Sequence, residues 1–485
     1  MNKPIRTLAV GCLALFVALL LNINYVQVFK AGALNDDSRN KRARDEECSR
    51  ERGPILVNGE TVAKSVPSGD SLKFIRKYPE PRRFAQATGY FSCYFGTTAV
   101  EATENSILSG SDSRLFVNRV IDLVGNDQPQ GGSVLLTLDP AAQQAAVDGL
   151  RALGPATRGS AIALDPRTGA ILAVASMPSY NPNKLATHDF SKAKRVYDRL
   201  NNSPTDKLLN RATQQIYPPG STFKLVTAAA ALSHGRTPNT LVNGNPSMQL
   251  PQSTAILHNE NGESCGGGKV TMTVALENSC NVAFAQLGLE LGSDVLQEQA
   301  EKFGFNESVI DQLPGAVSRF PTDLDQPQTA LSAIGQYEVA ASPLQMAMVA
   351  AGIANGGEVM KPYIVQEVRS PDLDVLDEAH PEVLHQAVSS TVASELTQMM
   401  VDVVVDGTGS EAQIPGVSVA GKTGTANSAP SRPPYAWMVT FAPADDPQVA
   451  VAVQIEQSDT PRDQITGNGL AGPICKAIMQ AVLNQ

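Results

Sequence analysis

The sequence predicts an α+β fold: one central antiparallel sheet with helices, a small N-terminal module that is mostly β or irregular, and one transmembrane helix. Three observations carry this reading. Strand-like runs stand at both ends of the segment beyond about residue 135, with helical runs between them. Residues 34–135 hold a hairpin signal but few long periodic stretches, and an apolar run opens the chain. With 485 residues, 42% of them hydrophobic and 18% charged, the chain has room for two or three domains and reads as globular.

Lys3 and Arg6 precede Leu8–Leu21, which contains no charged or amide side chain; the run then weakens through Asn22, Asn24, Tyr25 and Gln27 to Phe29. Taken to Phe29 it can span a bilayer, which needs about 20 residues. Ala31-Gly32-Ala33 has the look of a signal-peptide cleavage site, but it lies far from the strongly apolar part, which favours an uncleaved anchor. Lys30, Arg39, Lys41, Arg42 and Arg44 put more positive charge after the span than before it. That opposes the positive-inside tendency, yet long domains translocate despite it. Residues 1–33 are therefore expected to be a cytoplasmic stub and single-pass anchor in the cell membrane, with the body of the chain outside.

Residues 39–52 are a mixed-sign charged run, expected to be a solvated juxtamembrane segment. Asn58-Gly59 between Pro54–Val57 and Glu60–Ala63 predicts a hairpin, since both turn positions tolerate positive φ. Residues 34–135 read as a non-catalytic pedestal, resembling a dimerisation domain, and Asp127–Gly132 as its linker to the domain of residues 136–485. There, Thr137 with Pro140 and the Ala-rich 141–153 predicts a capped helix. Ser160–Leu164 and Ala170–Ala175 around Asp165-Pro-Arg-Thr-Gly169 predict a second hairpin. Val417–Ala426, Trp437–Pro443 and Val449–Glu456 read as strands, and 472–484 as a closing helix. No internal repeat is present.

Net charge is −10, which gives no reason to expect nucleic-acid binding. His188, His234, His258, His380 and His385 are scattered without the spacing of a zinc site, so neither a metal nor a cofactor is expected. Of six cysteines, Cys12 lies in the span and Cys475 in the closing helix. The other four allow three pairings. The local one, Cys48–Cys93 and Cys265–Cys280, keeps each bond inside one predicted domain, and export permits such bonds. Four buried free thiols are the alternative.

Three motifs occur in order: Ser221-Thr-Phe-Lys224, Ser279-Cys-Asn281 and Lys422-Thr-Gly424. Singly the first two are weak, because Ser-x-x-Lys recurs at Ser191–Lys194, and Ser-x-Asn at Ser38–Asn40 and Ser179–Asn181. Context separates them. Ser191 sits in a charged stretch, whereas Ser221 follows the helix-blocking Tyr217-Pro-Pro-Gly220 and precedes the apolar Leu225–Leu232. Ser221 is thus expected at a helix N-terminus with Lys224 on the same face. A serine needs a base, and lysine serves only when desolvation or a second cation lowers its pKa. Lys422 can supply that cation, Ser279 and Asn281 can hydrogen-bond into the cluster, and Ser279 is expected to relay a proton to the leaving amine. Backbone N–H groups of Ser221 and Thr425 are expected to hold the oxyanion. Thr423, Thr425 and Lys422 suit a substrate carboxylate.

The ordered set resembles the signature of penicillin-binding proteins and class A β-lactamases. Asn210-Arg-Ala212, Tyr217–Lys224, Gly335-Gln336, Ser342–Ala347, Lys422–Ala426 and Arg52–Ile55 with Gly59 are similar to class B penicillin-binding proteins, closest to the short actinobacterial type. The resemblance covers nearly the whole chain. It implies the serine-transpeptidase fold, a nucleophile at Ser221, a base at Lys224 and a relay at Ser279. It also implies a donor stem peptide ending in D-Ala-D-Ala, a second stem as amine acceptor, inhibition by β-lactams, and a membrane glycan polymerase and division or elongation proteins as partners. Cys280 departs from the commoner Ser-Asp-Asn and Ser-Ser-Asn forms. The competing readings are a D,D-carboxypeptidase or β-lactamase, and a non-catalytic β-lactam sensor or division scaffold. No Glu-x-x-Leu-Asn run lies between Asn281 and Lys422, which speaks against a class A β-lactamase.

Overall fold

Five strands form the sheet that organises the molecule, in the order Ala420–Ala426, Tyr435–Ala442, Val449–Gln457, Arg158–Leu164 and Ile171–Met177. Every neighbouring pair is antiparallel. The computed structural model describes residues 3–30, 41–115, 130–426 and 432–484. Side chains alternate between two buried layers because successive residues of a strand face opposite ways. Trp437, Val439 and Phe441 join the larger core with the buried helices Lys224–Ser233 and Pro343–Ala354. Ala436, Met438 and Val451 face the other layer, where Ala146 and Leu150 of helix Pro140–Ala152 meet Ile474 and Ile478 of helix Gly472–Leu483. Burial on both faces explains why Tyr435–Ala442, Val449–Gln457 and Ile171–Met177 are rich in apolar residues on both sides.

The cap of helix Pro140–Ala152 differs from expectation. Asp139 accepts from Ala142 N at 2.6 Å and Pro140 fills the first turn, while the Thr137 hydroxyl donates to Ile171 O at 2.7 Å. A carboxylate one residue before Pro140 is in reach of the free amide, and Thr137 lies too far back. The two predicted hairpins form. Asn58 and Gly59 take φ of 47° and 79°, the left-handed pair such a turn requires, between strands Ile55–Val57 and Glu60–Pro67.

A second sheet crosses the boundary expected at residue 135. Its order is Val375–Glu378, Val365–Arg369, Ser133–Leu136, Ile55–Val57, Glu60–Pro67 and Phe74–Lys77, so two strands come from late in the chain. Residues 127–129 of the expected linker lie outside the described residues, as do 31–33 and Arg39. Gly131 and Gly132 are packed: Gly131 N donates to Glu51 O and Gly132 N to Ile107 O. The charged run 39–52 also ends differently from the solvated segment expected. After helix Lys41–Cys48, Cys48 is buried in a disulfide with Cys93, and Arg52 is buried against Glu101. Arg52 and Arg76 both bond the Glu101 carboxylate, which Tyr78 also reaches. At the N-terminus, Lys3–Lys30 is helical over 28 residues and long and apolar enough to cross a membrane.

Candidate active site

Pro218 and Pro219 prevent a helix from starting early, and the chain turns through a 3₁₀ segment, Gly220–Phe223, before the helix Lys224–Ser233 begins. Positions three apart in a 3₁₀ turn lie on one side, so Ser221 and Lys224 share a direction. Three bonds pin this turn. Trp437 Nε1 donates to Pro218 O (3.0 Å), Gly220 N to Gly335 O (3.0 Å) and the Thr222 hydroxyl to Pro219 O (2.7 Å). Gly424 lets the strand press against it: a Cβ there would stand 3.0 Å from Thr222 Cγ2 and 3.1 Å from Pro219 O.

Lys224 is fully buried. Its Nζ donates to Ser279 O at 2.6 Å and Asn281 Oδ1 at 2.8 Å, with Ser279 Oγ at 3.3 Å. A neutral amine has two hydrogens, which the two carbonyl oxygens take, so its lone pair is left to receive a proton. Burial pushes the Lys224 amine well below the ordinary lysine range, and the charge of Lys422 pushes it further. Lys422 is equally buried, lowered to about 7 chiefly by desolvation, and donates to Ser279 Oγ at 2.9 Å and Thr423 O at 3.1 Å. Ser279 therefore bridges the two lysines. Its φ of 57° is rare for a residue with a side chain, and it turns both its carbonyl and its hydroxyl toward them.

The structure brings Ser221, Asn281 and Thr425 to one cleft of about 500 Å³, whose walls also include His258, Asn259, Glu260, Gln336 and Tyr337. Strand Ala420–Ala426 is the edge of its sheet, leaving one side open to an extended peptide. Thr423 is buried, and its hydroxyl is paired with that of Thr408 at 2.7 Å. Cys265 and Cys280 are joined, closing the segment between them onto the start of helix Asn281–Leu291. The competing Ser191–Lys194 pair lies on helix Phe190–Asn201, where Lys194 is exposed and paired with Asp198. Sequence reasoning missed the wall 258–260, since no motif marks it. The fold joins it to the site, where Asn281 Nδ2 donates to His258 O (3.1 Å) and Asn259 Oδ1 accepts from Val282 N (3.0 Å). No group of three or more potential metal ligands occurs among the described residues.

Residues 159–480 match the model of the penicillin binding protein transpeptidase domain, and residues 52–134 that of the penicillin binding protein A dimerisation domain. The chain is 43% identical to peptidoglycan D,D-transpeptidase PbpA of Mycolicibacterium smegmatis, covering 100% of both. It is 41% identical to PbpA of Mycobacterium tuberculosis, covering 100% of this chain and 99% of that one. Structures of penicillin-binding protein A from M. tuberculosis, as acyl-enzyme complexes with ceftriaxone and with penicillin G, match with TM-scores of 0.87 and 0.85 at 41% identity. Each covers 90% of this chain and 100% of the other. By its matched domains and its likeness along the whole length to these relatives, the chain belongs to the penicillin-binding protein transpeptidase family.

Proposed function

We propose that the protein is a peptidoglycan D,D-transpeptidase and β-lactam target, held to the cell membrane by Lys3–Lys30 with its catalytic domain outside. The single observation that carries this reading is the buried pair Lys224 and Lys422, joined through Ser279, beside the cleft that contains Ser221. Ser221 attacks the carbonyl of the penultimate D-Ala of a donor stem, and Lys224, held neutral, takes the hydroxyl proton. Ser221 Oγ makes no hydrogen bond among the described residues, so the nucleophile is free to align on its substrate. Backbone N–H groups of Ser221 and Thr425 receive the oxyanion, a contribution of about 3–4 kcal/mol per donor in other enzymes.

The proton then passes through Ser279 to the leaving D-Ala amine. An amine of a second stem attacks the ester, the proton runs back, and Ser221 is regenerated. Lys422 and the threonine hydroxyls of the edge strand receive the donor carboxylate. A membrane glycan polymerase and division or elongation proteins are the partners this reading implies. Removing the pedestal and anchor should abolish co-purification with that polymerase, and unaffected co-purification would count against the partnership.

The test is labelling of the intact protein with a fluorescent penicillin and mass mapping of the adduct. The adduct is expected on Ser221. Lys224→Ala should slow its formation by about 10²–10⁴-fold, the range for loss of a positioned base. An adduct elsewhere, or unchanged kinetics in the lysine variant, would end the assignment.

A further inference from the structure

One wall of the cleft has chemistry that the serine–lysine mechanism leaves unused. It is built on Asn259, which is buried and donates from Nδ2 to the carbonyls of Asn245 (2.9 Å) and Glu263 (3.0 Å). Its Oδ1 accepts from Val282 N, the second residue of the helix that starts at Asn281. Asn281 adds a bond to His258 O, while its own oxygen accepts from Lys224. The Cys265–Cys280 disulfide closes the segment from the other side. The short turn Glu260–Gly262 is therefore held by the same residues that hold the base.

Glu260 is exposed on this turn and is the one acidic side chain lining the cleft among the described residues. Its charge reaches inward, opposing the fall of both buried lysines. A transpeptidase cleft takes two peptides with different charged ends. The donor terminus is an anion and is matched by Lys422. An attacking amine arrives as an ammonium near neutral pH, as does a free side-chain amine on a donor stem, and neither is matched by any residue assigned so far.

We propose that Glu260 is a specificity-determining residue whose carboxylate binds an alkylammonium of a stem peptide, supplied by the acceptor amine or by a side-chain amine on the donor. This rests on the transpeptidase reading above. The turn is positioned by Asn259 and Asn281, so Glu260 shares the cleft with Ser221 without being part of the proton path.

The test uses the full chain and ratios within each variant, so that any general change in acylation cancels. In one arm, acyl-enzyme from a D-alanyl thioester donor partitions between a D-amino acid and its hydroxy-acid counterpart. In the other, donors bearing a free or an acetylated side-chain amine are compared by kcat/KM. Glu260→Gln should cut the preference for the ammonium ligand on the order of tenfold in one arm, the loss of one charge-assisted contact. The arm that responds identifies the source. Glu260→Lys should reverse the preference, and rising salt should erode it in the unaltered protein. Unchanged ratios in both arms, or equal losses on charged and neutral ligands, overturn the proposal, as does a preference insensitive to salt. Failure of the unaltered protein to trap penicillin would instead bring down the transpeptidase reading itself.

Discussion

In the proposed mechanism two lysine side chains set the chemistry, and the burial of both lowers stability. Lys422 has an ordinary value of 10.5 and is lowered to about 7 by burial, with Glu260 opposing. Between those limits the unfolded chain binds more protons than the folded one, so stability rises as pH rises and is lost as pH falls toward 7. Lys422→Met should therefore raise the thermal midpoint at pH 7 and flatten its rise between pH 7 and 10, measured by calorimetry across that range. The same change removes the cation that helps to depress Lys224. The pH midpoint of the limiting penicillin acylation rate should move upward in Lys422→Met; an unmoved midpoint would mean that burial alone sets the base. Trp437 acts at the same scale through one bond. Trp437→Phe loses the donor to Pro218 O and should cost about 1 kcal/mol, with slower acylation because the serine turn is less firmly held.

At the scale of elements, the site depends on two short non-helical pieces that precede helices. The 3₁₀ turn Gly220–Phe223 carries Ser221, the proposed nucleophile, into helix Lys224–Ser233, and the left-handed Ser279 precedes helix Asn281–Leu291. The Cys265–Cys280 bond constrains the second piece. With a sequence separation of 15, it is worth about 3 kcal/mol in a chain-entropy estimate. Cys280→Ser should lower the thermal midpoint and slow penicillin acylation, because Asn281 and the 258–260 wall lose a common anchor. Stopped-flow acylation and thermal unfolding check this together, and two unchanged values would remove the bond from the mechanism.

Across the whole molecule, strands of residues 55–77 share a sheet with Val365–Arg369 and Val375–Glu378 from late in the chain, and a buried charge cluster stabilises the N-terminal module. Burial alone would raise the Glu101 carboxyl, but Arg76 and then Arg52 hold it below the usual carboxylate range. Removing that charge leaves two buried guanidinium groups unmatched. Glu101→Gln should cost about 3–5 kcal/mol in urea unfolding, far more than an exposed pair would. The apolar N-terminal helix contrasts with it, since Lys3–Tyr25 buries no residue against the rest of the chain. A chain lacking residues 1–33 should leave the membrane fraction and keep penicillin trapping, read on a labelled gel.

Read as a sequence, the chain determined its own local order: the apolar N-terminal helix, both hairpins, the closing strands and the three motifs all depend on near neighbours, where periodicity and turn chemistry act. The serine turn was legible for that reason, since Pro218, Pro219 and the apolar run beyond them are contiguous. Distances along the chain hid the rest. Strand Val365–Arg369 pairs with Ser133–Leu136, Arg52 with Glu101, and Lys422 with Ser279, each pair brought together only by packing. The environment of Lys224, the proposed base, is likewise a tertiary fact, because desolvation is supplied by whatever covers a side chain, and no spacing of letters encodes that cover.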